Sequence, residues 1–195
     1  MSMTFAEMKE KLQSRLKPSR FQHSLGVSET AVTLAKRFGV DEEKARIAGL
    51  LHDCARQYPN DELIAEAAIR GIAIGDVERE TPLLLHADIG ARLVAEEYGV
   101  EDEEIQQSIA RHTVGGSNMS DLDKIVYFAD MIEPNRDYPD VHRLRQLAAE
   151  GTLDEMVLAG LSQSISFIVN QGKLLHLGTI IARNELVLKL KAARS

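Results

Sequence analysis

The chain has 195 residues, 44% of them hydrophobic and 27% charged, which is the make-up of one globular domain with a sizeable core. Its net charge of −7 argues against a general nucleic-acid binder, which would carry a basic excess. No apolar run approaches the ~20 residues of a membrane span, Met1 to Lys11 holds charges rather than a signal-type segment, and a lone Cys54 excludes an intramolecular disulfide and fits a reducing cytoplasm.

Aromatics are only 5% and Trp is absent, so Leu, Ile, Val and Ala must fill the core, which suits packed helices. Thr4-Phe5-Ala6-Glu7 is a capping box and starts a short helix to about Leu16. Pro18 opens the first turn of a second helix, which runs to Phe38 and stops at Gly39. Asp41 caps a third, carrying Ala45, Ala48 and Leu51. Asn60 or Asp61 is expected to cap a fourth, with Leu63, Ile64, Ala67 and Ala68 on its apolar stripe and Gly71 at its end. A fifth runs from near His86 to Tyr98 and Gly99. The sixth holds Ile105, Ile109 and His112. The seventh starts at Ser120 or Asp121 and ends near Glu133, before Pro134. Short helices are expected near Val141–Ala149, a longer one from the capping box Thr152–Glu155 to Gly172, and a last one near Thr179–Leu190. The stretches 72–82 and 113–119 are expected to be flexible loops. No strand alternation, repeat or low-complexity linker is present, so the predicted fold is all-α, one domain over 1–195.

Within this frame, Ile47-Ala48-Gly49-Leu50-Leu51 ends on the doublet His52-Asp53. An imidazole and a carboxylate are costly to bury unless something pairs with them, and a divalent metal is the usual partner. His23 shares a face with Val27, Ala31 and Leu34, and Asp130 lies with Val126 and Ala129, so both point inward. His86 and His112 fall between, each at a helix edge. The order H…HD…H…H…D is therefore a stronger sign of a site than the doublet alone. His142 sits in a charged, solvated stretch, and Cys54 reads as a small packed residue.

The segments 20–27, 48–53, 111–113 and above all 123–136, Asp-Lys-Ile-Val-Tyr-Phe-Ala-Asp-Met-Ile-Glu-Pro-Asn-Arg, resemble the YqeK-like branch of the HD-domain metal-dependent phosphohydrolases, and 179–184 is similar to the end of that branch. The resemblance implies an all-helical HD-type bundle, a bound divalent metal with iron expected and Mn, Co or Zn as alternatives, and symmetrical hydrolysis of diadenosine tetraphosphate to two ADP. It implies His23, His52, Asp53 and Asp130 as metal ligands, and His86 and His112 as ligands of a second metal or as phosphate contacts. Two departures stand out: Arg56 where the pattern has Lys, which keeps the charge, and Leu177 where it has Pro, which alters the ligand loop near the carboxy terminus.

Mixed histidine and carboxylate ligands suit Fe, Mn, Co or Zn without choosing among them. Asp53 is the catalytic candidate, placed to bridge two metals or orient the attacking water. An acidic protein needs local cations for a polyphosphate; Arg20, Arg56, Arg136 and Arg183 are the candidates, since a guanidinium holds phosphate oxygens in pairs. Lys173, His176 and Thr179 complete the expected nucleotide-binding set, while Lys124 is equally well explained as a surface charge on a capped helix. The alternatives are a nucleotidase or cyclic-dinucleotide phosphodiesterase on the same scaffold, or a nucleotide-sensing module without turnover. The expected partner is a nucleotide substrate, with no membrane or nucleic acid, and a homodimer is allowed.

Overall fold

The structure is a computed structural model and describes residues 3–194. Local capping chemistry sets most helix starts. Thr4 accepts from the Glu7 amide, and the Glu7 carboxylate returns a bond to the Thr4 amide, opening helix α1 (Phe5–Arg15). Pro18 occupies the first turn of α2 (Pro18–Phe38), which ends at Gly39 with φ 70°. The Asp41 carboxylate caps α3 (Glu42–Leu51). Then come α4 (Leu63–Ile69), α5 (Asp76–Glu80), α6 (Leu85–Tyr98) and α7 (Glu103–Arg111). Ser120 and Asp123 form the capping box of α8 (Asp121–Ile132), and Thr152 and Glu155 that of α10 (Leu153–Asn170). Helices α9 (Val141–Glu150) and α11 (Leu177–Ala192) complete the chain. No strand occurs among the described residues, and no helix is long and apolar enough to cross a membrane.

Helix α8 is the axis of the fold. Every residue from Leu122 to Ala129 is buried, as expected of a helix packed on all sides. Helices α2, α3, α7 and α10 pack around it. The α2–α3 contact is close: a Cβ at Gly49 would lie 2.8 Å from the Cα of Ser28. That approach brings His52, one residue past the end of α3, to the face of α2 that carries His23.

Several expectations need correction. Neither Asn60 nor Asp61 caps α4; the preceding turn closes on Pro59, whose carbonyl accepts from the Glu62 amide, and the helix begins at Leu63 with no side-chain cap. Ala68 faces solvent, and only Leu63 and Ala67 of its stripe are buried. The stretch 72–82 contains α5, where the Glu78 carboxylate accepts from the Gly75 amide at 2.8 Å. The stretch 113–119 is tied to α11: Thr179 Oγ1 donates to the Val114 carbonyl at 2.8 Å, and Glu185 accepts from Ser117 Oγ and the Asn118 amide. Helix α11 starts at Leu177 rather than near Thr179, because His176 Nδ1 caps it by accepting from the Gly178 amide.

Candidate metal centre

Three helix ends and two helix interiors deliver the site. His23 and Asp130 come from within α2 and α8; His52 and Asp53 follow α3; His86 lies in the first turn of α6; His112 follows α7. His23 Nε2 is 2.9 Å from Asp130 Oδ1 and 3.2 Å from His52 Nε2. Asp53 sits between the imidazoles. Its Oδ2 lies 3.6 Å from His52 Nε2 and 3.8 Å from His23 Nε2, and its Oδ1 lies 3.1 Å from His86 Nε2 and 3.8 Å from His112 Nε2. Two overlapping trios have the spacing to hold a metal ion: His23, His52 and Asp130, and His52, Asp53 and His112.

The outer ring nitrogens decide what the inner ones can do. Nδ1 of His52 meets the Gly49 carbonyl at 2.8 Å, Nδ1 of His112 meets the Ile109 carbonyl at 2.7 Å, and Nδ1 of His86 meets the Leu83 carbonyl. A carbonyl only accepts, so each Nδ1 carries a proton and Nε2 is the nitrogen turned inward. Burial, then the neighbouring His52 and His86, push the His112 imidazole down to about 3, so it is neutral at physiological pH. Burial likewise lowers His52. Nε2 atoms of His86 and His112 approach to 3.1 Å; lone pairs that close repel unless a proton or a metal ion lies between. Burial alone would raise Asp53 and Asp130, but the surrounding imidazoles outweigh it, with Arg136 adding to the effect at Asp130, and hold both carboxyls well below the usual range. A donor set of neutral imidazole nitrogen and carboxylate oxygen, without sulfur, fits a divalent transition metal.

Cations ring this centre. Arg20 Nη1 donates to Asp53 Oδ2 at 2.9 Å, and Arg136 donates to Asp130 through both its side-chain oxygen and its carbonyl. Arg56 lies near Arg20 and within the field of Asp53 and Asp130; burial lowers its guanidinium, and among the described residues no hydrogen bond or ion pair engages that group.

The remaining expected residues make their hydrogen bonds and ion pairs outside the histidine cluster. Thr179 is buried against Val114, Arg183 bonds Ser162 on α10 at 3.1 Å, and Lys173 is exposed in the turn before α11. His176 pairs with Glu78 at 3.1 Å. None of these four hydrogen-bonds to the histidine cluster. Lys124 is neither a surface charge nor a neighbour of the centre: it is buried and paired with Asp121 and Asp154. Cys54 is buried with its thiol pushed up by desolvation, and His142 is exposed, both as read. Two residues escaped the sequence reading. Thr113 Oγ1 lies 3.0 Å from His112 Nε2, and Glu133 accepts from His23 Nδ1 at 3.1 Å. A carboxylate at the end of the apolar run 125–132 was the available signal for Glu133.

The family model for the HD domain matches residues 20–135, the span that supplies all six ligand-type side chains. The chain belongs to the HD-domain family. A symmetrical bis(5′-nucleosyl)-tetraphosphatase of Halalkalibacterium halodurans is 38% identical over 92% of this chain and 95% of its own length. One of Bacillus subtilis is 36% identical over 90% and 94%. Among solved structures, an HD-superfamily hydrolase from Clostridium acetobutylicum, described as involved in NAD metabolism, is 39% identical with a TM-score of 0.92, covering 97% of this HD protein and all of that chain.

Proposed function

We propose that this protein hydrolyses diadenosine tetraphosphate and related dinucleoside polyphosphates symmetrically, giving two ADP. One observation carries the reading: four imidazoles and two carboxylates converge on one centre in a chain aligned nearly end to end with enzymes named for that activity.

His23, His52, Asp53 and Asp130 would hold a divalent metal, for which we propose iron; His86 and His112 would take a second ion or a phosphate oxygen. When bound, a divalent ion there would lower the pKa of a coordinated water and offset charge on a phosphate oxygen. Asp53, which faces both imidazole pairs, would orient the water, whose proton is released to solvent as the ADP products form. Water adds to the second phosphorus from one end, and the bridging oxygen leaves with the other nucleoside diphosphate. Arg56, whose guanidinium has no hydrogen bond or ion pair among the described residues, would grip one diphosphate half, with Arg20 near it and Arg136 on Asp130. Lys173, His176, Thr179 and Arg183 we assign to the nucleoside end of the same substrate. We assign the enzyme to the cytoplasm, where nucleotides abound and Cys54 stays reduced.

Anaerobic purification with elemental analysis, followed by chromatography of products from diadenosine tetraphosphate, tests the proposal. ADP as sole product is expected. Equal ATP and AMP would reject the substrate register, and a protein free of iron that is active with another ion would reject the metal.

A further inference from the structure

His23 differs from the other three imidazoles. His52, His86 and His112 lie at helix ends, and each gives its Nδ1 proton to the carbonyl three residues earlier. His23 is in the body of α2, where the preceding carbonyls are taken by the helix itself. Its outer nitrogen needs an acceptor from another element, and Glu133 at the end of α8 provides it, 110 residues away.

The Glu133 side chain is built into place. It is 1% exposed, and its Oε2 accepts from the Asn135 amide at 2.8 Å and from Asn135 Nδ2 at 3.0 Å, leaving Oε1 for His23. Its main chain is held by Arg145, which donates to the Glu133 carbonyl at 2.7 Å. On α2, Gly26 lies one turn beyond His23, and a Cβ there would overlap Glu133 Oε2. Among the described residues His23 is the one basic side chain within ion-pair distance of this carboxylate, with Arg136 adding only its more distant field. A buried carboxylate without a cation paired directly to it is costly. A cation on the far side of the His23 ring removes that cost.

We infer that Glu133 is a positioning residue: it fixes the Nδ1–H tautomer and orientation of His23, and its charge strengthens the metal bond at Nε2. Partners of this kind behind a ligating imidazole raise its basicity, and losing one weakens metal binding roughly 10–100-fold. The inference rests on the metal-site reading above but not on the substrate.

Metal affinity of the whole protein decides it, measured by competition with a chromophoric chelator using iron(II) or manganese(II), alongside the melting temperature of the metal-free protein. Glu133→Gln keeps volume and an acceptor oxygen but loses the charge; about tenfold weaker binding is expected at an unchanged metal-free melting temperature. Glu133→Ala should weaken binding further, with turnover recovering at saturating metal. Parental affinity in Glu133→Gln would overturn the inference while leaving the metal site intact. Loss of affinity in Glu133→Gln only in step with a lower metal-free melting temperature would reduce Glu133 to a structural residue and overturn it as well. A parent protein that binds no metal would overturn it together with the metal-site reading.

Discussion

Asp53 lies 3% exposed between two imidazole pairs, with one oxygen toward each and Arg20 on its outer edge. Its charge is the feature no neutral isostere reproduces. Asp53→Asn should fold with an unchanged metal-free melting temperature and lose turnover by roughly 10²–10³-fold, the usual worth of one preorganised electrostatic contact. Near-parental kcat in that variant would sink the role. Arg56 is a different case, because among the described residues no hydrogen bond or ion pair holds its guanidinium. A charge-assisted hydrogen bond is worth about 1.5–3 kcal/mol, so Arg56→Ala should raise KM roughly tenfold or more with little change in kcat, provided the contact is equally strong in ground and transition states. Steady-state kinetics that show a fall in kcat at constant KM would move Arg56 from binding to chemistry.

At the level of helices, the site depends on how near α2 and α3 approach. Gly49 supplies that approach and also the carbonyl that orients His52. Two effects oppose each other in Gly49→Ala. Alanine favours a helix over glycine by about 1 kcal/mol. Against this, the new methyl would meet main-chain atoms of α2, including the Ser28 Cα at 2.8 Å, and the backbone cannot rotate away as a side chain can. Overpacking of this kind costs about 1–3 kcal/mol, so the steric term should win. Thermal denaturation is expected to show a lower melting point and weaker metal binding; a stabilised variant would mean that the helices separate at little cost. The α11–loop contact through Thr179 is a second such element, since it sets the position of the segment that follows His112.

Over the whole molecule, metal binding and stability are linked. A metal held only by the folded chain stabilises it by about 2.7 kcal/mol at a free concentration of 100 Kd. Chelation should therefore lower the melting temperature by roughly 5–10 °C for a chain of this size, and His23→Ala and Asp130→Ala should show no chelator-dependent shift. Acid acts in the same direction. Folded His112 stays neutral down to about 3, whereas the unfolded residue takes up a proton below roughly 6.5. Between those values the unfolded chain binds more protons, so stability falls as pH falls. His52 is lowered too and adds to the slope, whereas His23, raised by Asp130 and Glu133 against its own burial, opposes it. Denaturant titrations of the metal-free protein should lose stability from pH 6.5 to 5, and His112→Asn should flatten that slope. A slope unchanged in the variant would mean that His112 titrates normally in the fold.

The sequence by itself determined most helix limits and the inventory of ligands. Capping boxes at Thr4 and Thr152, the Ser120 start and the stop at Gly39 are local chemistry, complete within four or five residues. A histidine or aspartate on an apolar stripe is legible for the same reason, because the stripe reports burial and burial demands a partner. The partner itself is not local. Which face of each imidazole turns inward, which carboxylate Arg20 and Arg136 hold, why no hydrogen bond or ion pair among the described residues holds the Arg56 guanidinium and what Glu133 does all depend on segments tens of residues apart meeting in space. Helix α4 is where the sequence places it, but its buried face differs on the same ground: the stripe reads four residues wide, and packing against α6 buries only two. Periodicity shows that a face is apolar, but only the packed helices decide how much of it is covered and which polar atoms end within 3 Å of one another.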